Sequence, residues 1–430
     1  MYISSKDFSK HIGEEVAIKG WLYNKRSSGP IVFLEIRDGF SWTQAVAAKA
    51  SISAEVWAEI EKATQESAIE INGKVAKHPK KENVFELQVT DLKIIQLAEN
   101  YPIALKDHGP DFLMDNRHLW LRSKRQWAIL RLRDAIKSAF YSYLHQENFI
   151  NVDSPIFTPN ACEGATTLFK IPYFDLGDAY LSQSGQLYIE AAIASVGRCY
   201  DFGPVFRAEK SKTKRHLTEF WMMDAEAAFV EHEQNLQIQE NLIRFIVRWC
   251  LEHCQEELTL LERNIENLRK VDAPFKRYTY TEAIEKLHQL GSDIKFGEDL
   301  GNDDEGLLTK DSDVPVFIHK WPKSIKPFYM KRDPENAGLV LNDDLIATEN
   351  GGEIIGGSQR EDDFNLLSEK IQAEGLIGEE YEWYRDLRRY GSVPHSGFGV
   401  GLERVVRWIS GTEHIRECIP FPRTIARLRP

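Results

Sequence analysis

Phe206-Arg207-Ala208-Glu209, followed after a short basic loop by Arg215-His216-Leu217-Thr218-Glu219-Phe220, is the stretch on which the reading of this chain turns. An arginine can fork onto two oxygens at once, a glutamate can accept from an amino group, and an aromatic ring can stack on a purine. Together they suit a site that grips ATP and a carboxylate. The stretch sits inside Tyr180–Phe229, where strand-like runs alternate with turns.

Outward from it, a helical region over Asn235–Ile265 is followed by strand-like runs near Val316–His319, Tyr329–Met330, Leu339–Leu341 and Glu353–Gly356. That order suits an antiparallel sheet with helices on one side. Upstream, Arg122–His145 carries Ile129, Leu132, Ile136, Phe140 and Leu144 on one helical face, and Phe149–Pro155 reads as an extended segment ended by proline. Downstream, Gly397-Phe398-Gly399-Val400-Gly401-Leu402-Glu403-Arg404 has the look of a glycine-rich phosphate loop ahead of a helix over Val405–Gly411.

The first hundred residues have a different texture. Glu15–Leu22, Ile31–Ile36, Trp42–Val46, Ala68–Val75 and Phe85–Val89 read as strands, with a helix near Ala54–Thr64. Five strands and one interposed helix suggest a small barrel of the oligonucleotide-binding (OB) type. Arg26, Phe33 and Gln44 project from one face of it, an aromatic platform with a cation and an amide nearby, which is how single-stranded bases are held. The domain reading is therefore 1–98 as the barrel, 99–116 as a proline- and glycine-bearing linker, and 117–430 as a larger α+β domain.

The bulk properties narrow the class. At 430 residues, 42% apolar and with no run near the ~18 apolar residues of a membrane span, the chain reads as a soluble protein of two or three domains with no membrane partner. The N-terminus lacks a signal-peptide pattern, and five scattered cysteines argue against a disulfide framework, so a cytoplasmic location is expected. Cys250, His253 and Cys254 lie close in sequence, but no second ligand pair follows at zinc-site spacing. A net charge of −12 excludes a protein that coats nucleic acid non-specifically.

Taken together the segments resemble a class II aminoacyl-tRNA synthetase of the subgroup that activates aspartate, asparagine and lysine. Asn148–Pro159 with Pro155 resembles motif one, the opening stretch motif two, and Gly399–Arg404 motif three. The resemblance implies a six-stranded antiparallel sheet flanked by helices, preceded by an all-β anticodon-binding OB barrel, with motif one building a homodimer. It implies that Arg207 bridges the α-phosphate and the substrate carboxylate and that Glu209 accepts from the adenine amino group. Phe220 and Arg404 sandwich the adenine, and Arg215 and His216 steer the polyphosphate. ATP is then a substrate and Mg²⁺ the cofactor, held by Glu353 with Asp344 or Asp343 as its companion. Glu163, from a small-residue lid, and Gln186 contact the substrate ammonium. In the barrel, Phe33 stacks on the middle anticodon base and Gln44 reads its edge, with Arg26 and Glu86 close by.

Ser182-Gln183-Ser184-Gly185-Gln186-Leu187-Tyr188-Ile189-Glu190 bears on which acid is activated. Aspartate-activating members resemble it but carry a lysine where Ile189 stands. A lysine neutralises a substrate carboxylate, whereas a glutamate repels one and accepts from a carboxamide NH₂. Glu190 therefore favours L-asparagine and tRNA(Asn), with Arg360 donating to the side-chain carbonyl. The rival readings are an aspartate-activating enzyme, including one with relaxed tRNA choice, and a synthetase-like enzyme that makes asparagine.

Overall fold

The computed structural model describes residues 2–162, 168–211, 213–376 and 378–429. The chain divides into two compact units, Met1–His108 and Gly109–Pro430.

In the first unit, β1 (Glu15–Ser28), β2 (Ile31–Arg37), β3 (Trp42–Ala48), α1 (Ala54–Lys62), β4 (Ala68–Lys77) and β5 (Phe85–Gln96) form a closed barrel of strand order β1-β2-β3-β5-β4. Period-two alternation decides what faces in: Val32, Leu34 and Ile36 of β2 are buried with Ile18, Leu22, Ile71 and Leu87, and α1 adds Trp57 and Ile60. Phe33 lies on the other side of the pleat and is half-buried. The strands β1 and β5 run past their expected ends. Their neighbours explain how the barrel closes, since a Cβ on Gly20 or Gly73 would meet the carbonyl oxygens of Arg37 and Gln88 at 2.4 and 2.3 Å.

The second unit opens with α2 (Pro110–Asp115) and α3 (Arg117–Trp120), helices that the proline- and glycine-bearing segment did not suggest; Pro110 stands at the first turn, where its missing N–H costs nothing. Then come α4 (Lys124–Gln146), β6 (Ile150–Asn151), β7 (Phe157–Thr158), β8 (Lys170–Pro172), β9 (Asp178–Leu181), α5 (Gln186–Val196), β10 (Arg198–Phe206) and β11 (Glu219–Ala228). The expected long helix after β11 is three pieces, α6 (His232–His253), α7 (Gln255–Leu260) and α8 (Ile265–Lys270). The path bends at Cys254 and again at Glu262, which has a left-handed φ of 54°. The remaining elements are β12 (Lys276–Thr279), α9 (Tyr280–Gln289), α10 (Asn302–Thr309), β13 (Val316–His319), β14 (Asn342–Ala347), β15 (Gly352–Gln359), α11 (Phe364–Ala373), α12 (Glu382–Arg389), β16 (His395–Gly401) and α13 (Leu402–Ser410).

The large sheet runs β12-β13-β14-β15-β16-β11-β10-β6. From β13 to β10 its six strands are antiparallel, as the resemblance implied, and a parallel strand is added at each edge, β12 on β13 and β6 on β10. The runs at Tyr329–Met330 and Leu339–Leu341 make isolated bridges only, Met330 with Arg360, Leu339 with Pro322 and Val340 with Arg332. Pro322, Pro327 and Pro334 interrupt that region and lack the N–H a ladder requires. Among the described residues no helix is long and apolar enough to cross a membrane.

Gly397–Gly401 is strand β16, not a phosphate loop. None of its glycines has positive φ. They are needed for space: a Cβ on Gly397 would sit 1.9 Å from Glu226 Oε2 and one on Gly399 2.6 Å from Asp224 Oδ1.

Candidate active site

The antiparallel sheet floors a cavity of about 600 Å³. Arg207, Glu209, Arg215, His216, Phe220, Glu353 and Arg404 line one end of it, and Ser184, Gln186, Asp224 and Arg360 the other.

At the first end, β10 and β11 pair up to Phe206 with Glu219, and the Arg207 amide donates to the Thr218 carbonyl at 3.0 Å where the hairpin leaves the sheet. Phe220 starts the return strand, and the Arg207 guanidinium lies 5.5 Å from its ring centroid. Glu209 and His216 approach to 3.8 Å in the hairpin tip. Burial, then the charge of Arg404, holds the His216 imidazole below its usual range. Arg404, in the first turn of α13, donates to the Glu353 carbonyl at 2.8 Å and pairs with its carboxylate at 3.3 Å. Arg215 is turned toward α10, where it bonds Glu305, Asn302 Oδ1 at 2.8 Å and the Asn350 carbonyl at 3.0 Å. It thereby also walls a neighbouring open cavity of about 790 Å³.

The acidic pair resolves by the pleat. Asp344 faces the cavity, while Asp343 faces α6 and meets His232 Nε2 at 3.2 Å. Glu353 and Asp344 converge over bare Gly356, whose missing Cβ would lie 3.4 Å from Glu353 Oε1 and 3.8 Å from Asp344 Oδ1. Burial pushes the Asp344 carboxyl up to about 7 against the pull of Lys326, whose Nζ is 2.6 Å away, and the Glu353 charge adds to the push. At Glu353 burial is outweighed by Arg404, Lys326 and Arg207, which hold the carboxyl below its ordinary value. Two hard oxygen donors facing open space suit Mg²⁺, which takes one or two carboxylates and keeps its waters.

At the other end the charges are already paired. Arg360 reaches Glu226 through Nε at 3.2 Å and Nη2 at 2.9 Å and donates Nη1 to Ser358 Oγ at 2.7 Å. Burial works against that guanidinium charge, and Glu226, then Glu190, more than offset it. Burial also pushes the Glu226 carboxyl up while Arg360 pulls it back. The fork geometry is that of an ion pair. Sequence reasoning missed Glu226, although Asp224 and Glu226 stand two apart in an apolar strand, a spacing that puts both on one face.

The expectation of a direct bond from Glu190 to the ligand amide changes here. Glu190 does not line the cavity. Its oxygens accept from Gln186 Nε2 at 3.0 Å, Tyr384 OH at 2.7 Å and Arg388 Nη2 at 2.7 Å. Burial opposes its ionisation, but Arg388, then His395 and Arg360, hold the carboxyl well below the usual range. Asp224 accepts from Ser184 Oγ at 2.8 Å and the Gly185 amide at 3.0 Å. It lies opposite Asp201 in the ladder, and burial followed by the Asp224 charge pushes Asp201 up to about 8. Glu163 lies outside the described residues.

On the barrel, the register sets Arg26 across from Phe33 and Gln44 across from Glu86. Arg26 is exposed, Phe33 and Gln44 are half-buried, and Gln44 Nε2 donates to Glu86 Oε2 at 3.1 Å, Glu86 itself being buried. Among the described residues no three His, Cys, Asp or Glu side chains gather as metal ligands.

Comparison with known proteins adds a further set of findings. The family described as tRNA synthetases class II (D, K and N) matches residues 109–425, and that of the OB-fold nucleic acid binding domain matches residues 16–95. The chain is 53% identical over 425 residues to the asparagine–tRNA ligase of Desulforamulus reducens, with 99% of each covered, and 51% identical over 425 residues to that of Pelotomaculum thermopropionicum, again with 99% of each covered. Among solved structures it resembles asparaginyl-tRNA synthetase from Pyrococcus horikoshii complexed with asparaginyl-adenylate, at 42% identity and a TM-score of 0.94, covering 98% of this chain and 97% of that one.

Proposed function

Because the chain belongs to the class II tRNA synthetases of the aspartate, lysine and asparagine group, we propose that it acts as an asparagine–tRNA ligase. It activates L-asparagine with ATP and transfers it to the 3′-terminal ribose of tRNA(Asn). The observation that carries the choice of acid is the closed Arg360–Glu226 pair. A guanidinium already neutralised has a free N–H edge for a carbonyl oxygen but no surplus charge for a second carboxylate, and burying an unpaired carboxylate is heavily penalised.

The residues perform the reaction by alignment. Phe220 and Arg404 hold the adenine between them, Glu209 accepts from its amino group, and Arg207 bridges the α-phosphate and the asparagine carboxylate. The carboxylate oxygen attacks the α-phosphorus in line, the bond to the β-phosphate oxygen breaks, and pyrophosphate leaves. A terminal ribose hydroxyl then attacks the acyl carbon, loses its proton and displaces AMP. No side chain becomes a nucleophile; positioning and charge stabilisation supply the rate. Asp344 and Glu353 are the residues that would hold Mg²⁺, which when bound neutralises phosphate charge. Arg215 reaches the polyphosphate by leaving Glu305, and His216 assists it. Gln186, with Ser184 and Asp224, receives the substrate ammonium, and Glu163 belongs to the same contact. On the barrel, Phe33, Gln44, Arg26 and Glu86 receive the anticodon.

The edge strand β6 carries exposed Ile150, followed by exposed Ile156 and Phe157. That edge supports a homodimer built on motif one, in a cytoplasmic enzyme. Pyrophosphate exchange measured separately with asparagine and aspartate tests the substrate. Exchange with asparagine alone is expected; strong exchange with aspartate and none with asparagine sinks the reading.

A further inference from the structure

Behind the amino-acid end of the cavity lie four buried ionic groups, and only Arg360 of the four lines it. Arg360 has two carboxylates within reach, Glu226 at 2.9 Å and Glu190 at 3.9 Å. What keeps the second from it is Arg388 of α12. Arg388 Nη2 lies 2.7 Å from Glu190 Oε2, its Nε donates to the Glu361 carbonyl at 2.8 Å, and the guanidinium stacks 4.4 Å from the Tyr384 ring centroid. His395 Nδ1 donates to the Val393 carbonyl at 2.8 Å, and its Nε2 stands 3.3 Å from Glu190 Oε2 and 3.4 Å from Arg388 Nη2. Two carboxylates and two guanidiniums thus offset one another, with His395 beside Glu190 and none of the four ionic side chains exposed.

We propose that Arg388 is a positioning residue for substrate selectivity: by taking up the charge of Glu190 it leaves Arg360 bound to one carboxylate, so the cavity's end is electrically balanced and accepts a carboxamide but not a carboxylate. This rests on the asparagine reading and adds that selectivity resides in the sum of the buried charges rather than in a touch between Glu190 and the ligand. Removing the charge of Glu190 leaves a surplus positive charge that a substrate carboxylate completes. Removing the charge of Arg388 leaves a surplus negative charge that draws Arg360 away from the ligand. Removing both restores the balance.

Pyrophosphate exchange with asparagine and with aspartate, on the full chain and on Glu190→Gln, Arg388→Met, Arg388→Lys and the Glu190→Gln/Arg388→Met double variant, tests this. Glu190→Gln lowers the asparagine-to-aspartate ratio of kcat/KM by about tenfold or more, and Arg388→Met lowers kcat/KM for asparagine by a similar factor with no gain for aspartate. The double variant and Arg388→Lys return the ratio to within about threefold of the natural chain. A double variant that keeps the lowered ratio of Glu190→Gln overturns the proposal. So does an Arg388→Met protein that uses asparagine as well as the natural chain does. Should Arg388→Met not fold, Glu190→Gln and the double variant decide, since neither leaves a carboxylate without its partner. A natural chain that exchanges with aspartate and not asparagine overturns the substrate reading instead, whatever the variants do.

Discussion

The two ends of the cavity treat charge in opposite ways. At the hairpin end the groups are partly open and loosely tied: Arg404 is 28% exposed and 3.3 Å from a Glu353 that is 38% exposed, and Glu209 and His216 stand 3.8 Å apart. At the far end Arg360, Glu226, Glu190 and Arg388 are each 3% exposed or less at the side chain and bonded to one another. Open charges can be claimed by an incoming polyanion. Closed ones present only dipoles to a neutral group. One end is therefore built to bind a polyanion and the other to refuse a second carboxylate.

Breaking the first half of that contrast gives the largest effect. Arg207→Ala removes the cation nearest Phe220 and lowers asparagine-dependent pyrophosphate exchange by about 10²–10³-fold or more, with tRNA affinity by filter binding left nearly unchanged. Unaltered exchange would show that the open end does not use this guanidinium. Breaking the second half comes next. Glu226→Gln frees the charge of Arg360, and the asparagine-to-aspartate ratio of kcat/KM falls by roughly 10–100-fold. A ratio that stays put means the closed pair is structural only.

A control outside the cavity should move neither end. Phe33→Ala lowers kcat/KM for tRNA by about tenfold, in keeping with ~1–3 kcal/mol per stacked base, while pyrophosphate exchange is untouched. Equal aminoacylation by variant and natural chain removes Phe33 from the anticodon face. The smallest effect comes from behind the closed end, at Asp201, which lies opposite Asp224. Its carboxyl ionises near pH 4 in an unfolded chain but holds its proton to about 8 in the fold. Between those values the folded state binds more protons, so stability falls as pH rises through that window. Asp201→Asn removes the slope: its melting temperature gains about 2–4 °C on the natural chain from pH 6 to pH 8 and no more above it. Parallel melting curves across that range refute the assignment.

The open end was legible in the sequence and the closed end only in part, for a physical reason. Arg207, Glu209, Phe220, Glu353 and Arg404 are polar or aromatic residues in short recognisable stretches, and the strands that carry them pair close by in the fold. Glu190 stood out only through the resemblance, next to Ile189 where aspartate-activating members carry a lysine, and the helix α5 that holds it lies in a region read as strands and turns. Its partners Tyr384 and Arg388 lie 194 and 198 residues away, and nothing local in α12 marks two of its residues as counterparts to a distant carboxylate. The same holds for the glycines of β16. Their spacing suggested a loop around phosphate, whereas their purpose is set by side chains on the neighbouring strand. The barrel was read nearly strand for strand because alternation in β2 and β3 is a local signal.

Gly397 and Glu226 occupy one small volume between them, the oxygen of one filling the place of the other's absent methyl group. The two positions therefore cannot drift independently. A chain that gained alanine at 397 would have to shorten the acid at 226, losing the counterion of Arg360, and would still press its methyl group to 2.4 Å from the Ala225 carbonyl. For anyone redesigning the acid this enzyme accepts, Glu226 can be shortened but Gly397 has to stay a glycine.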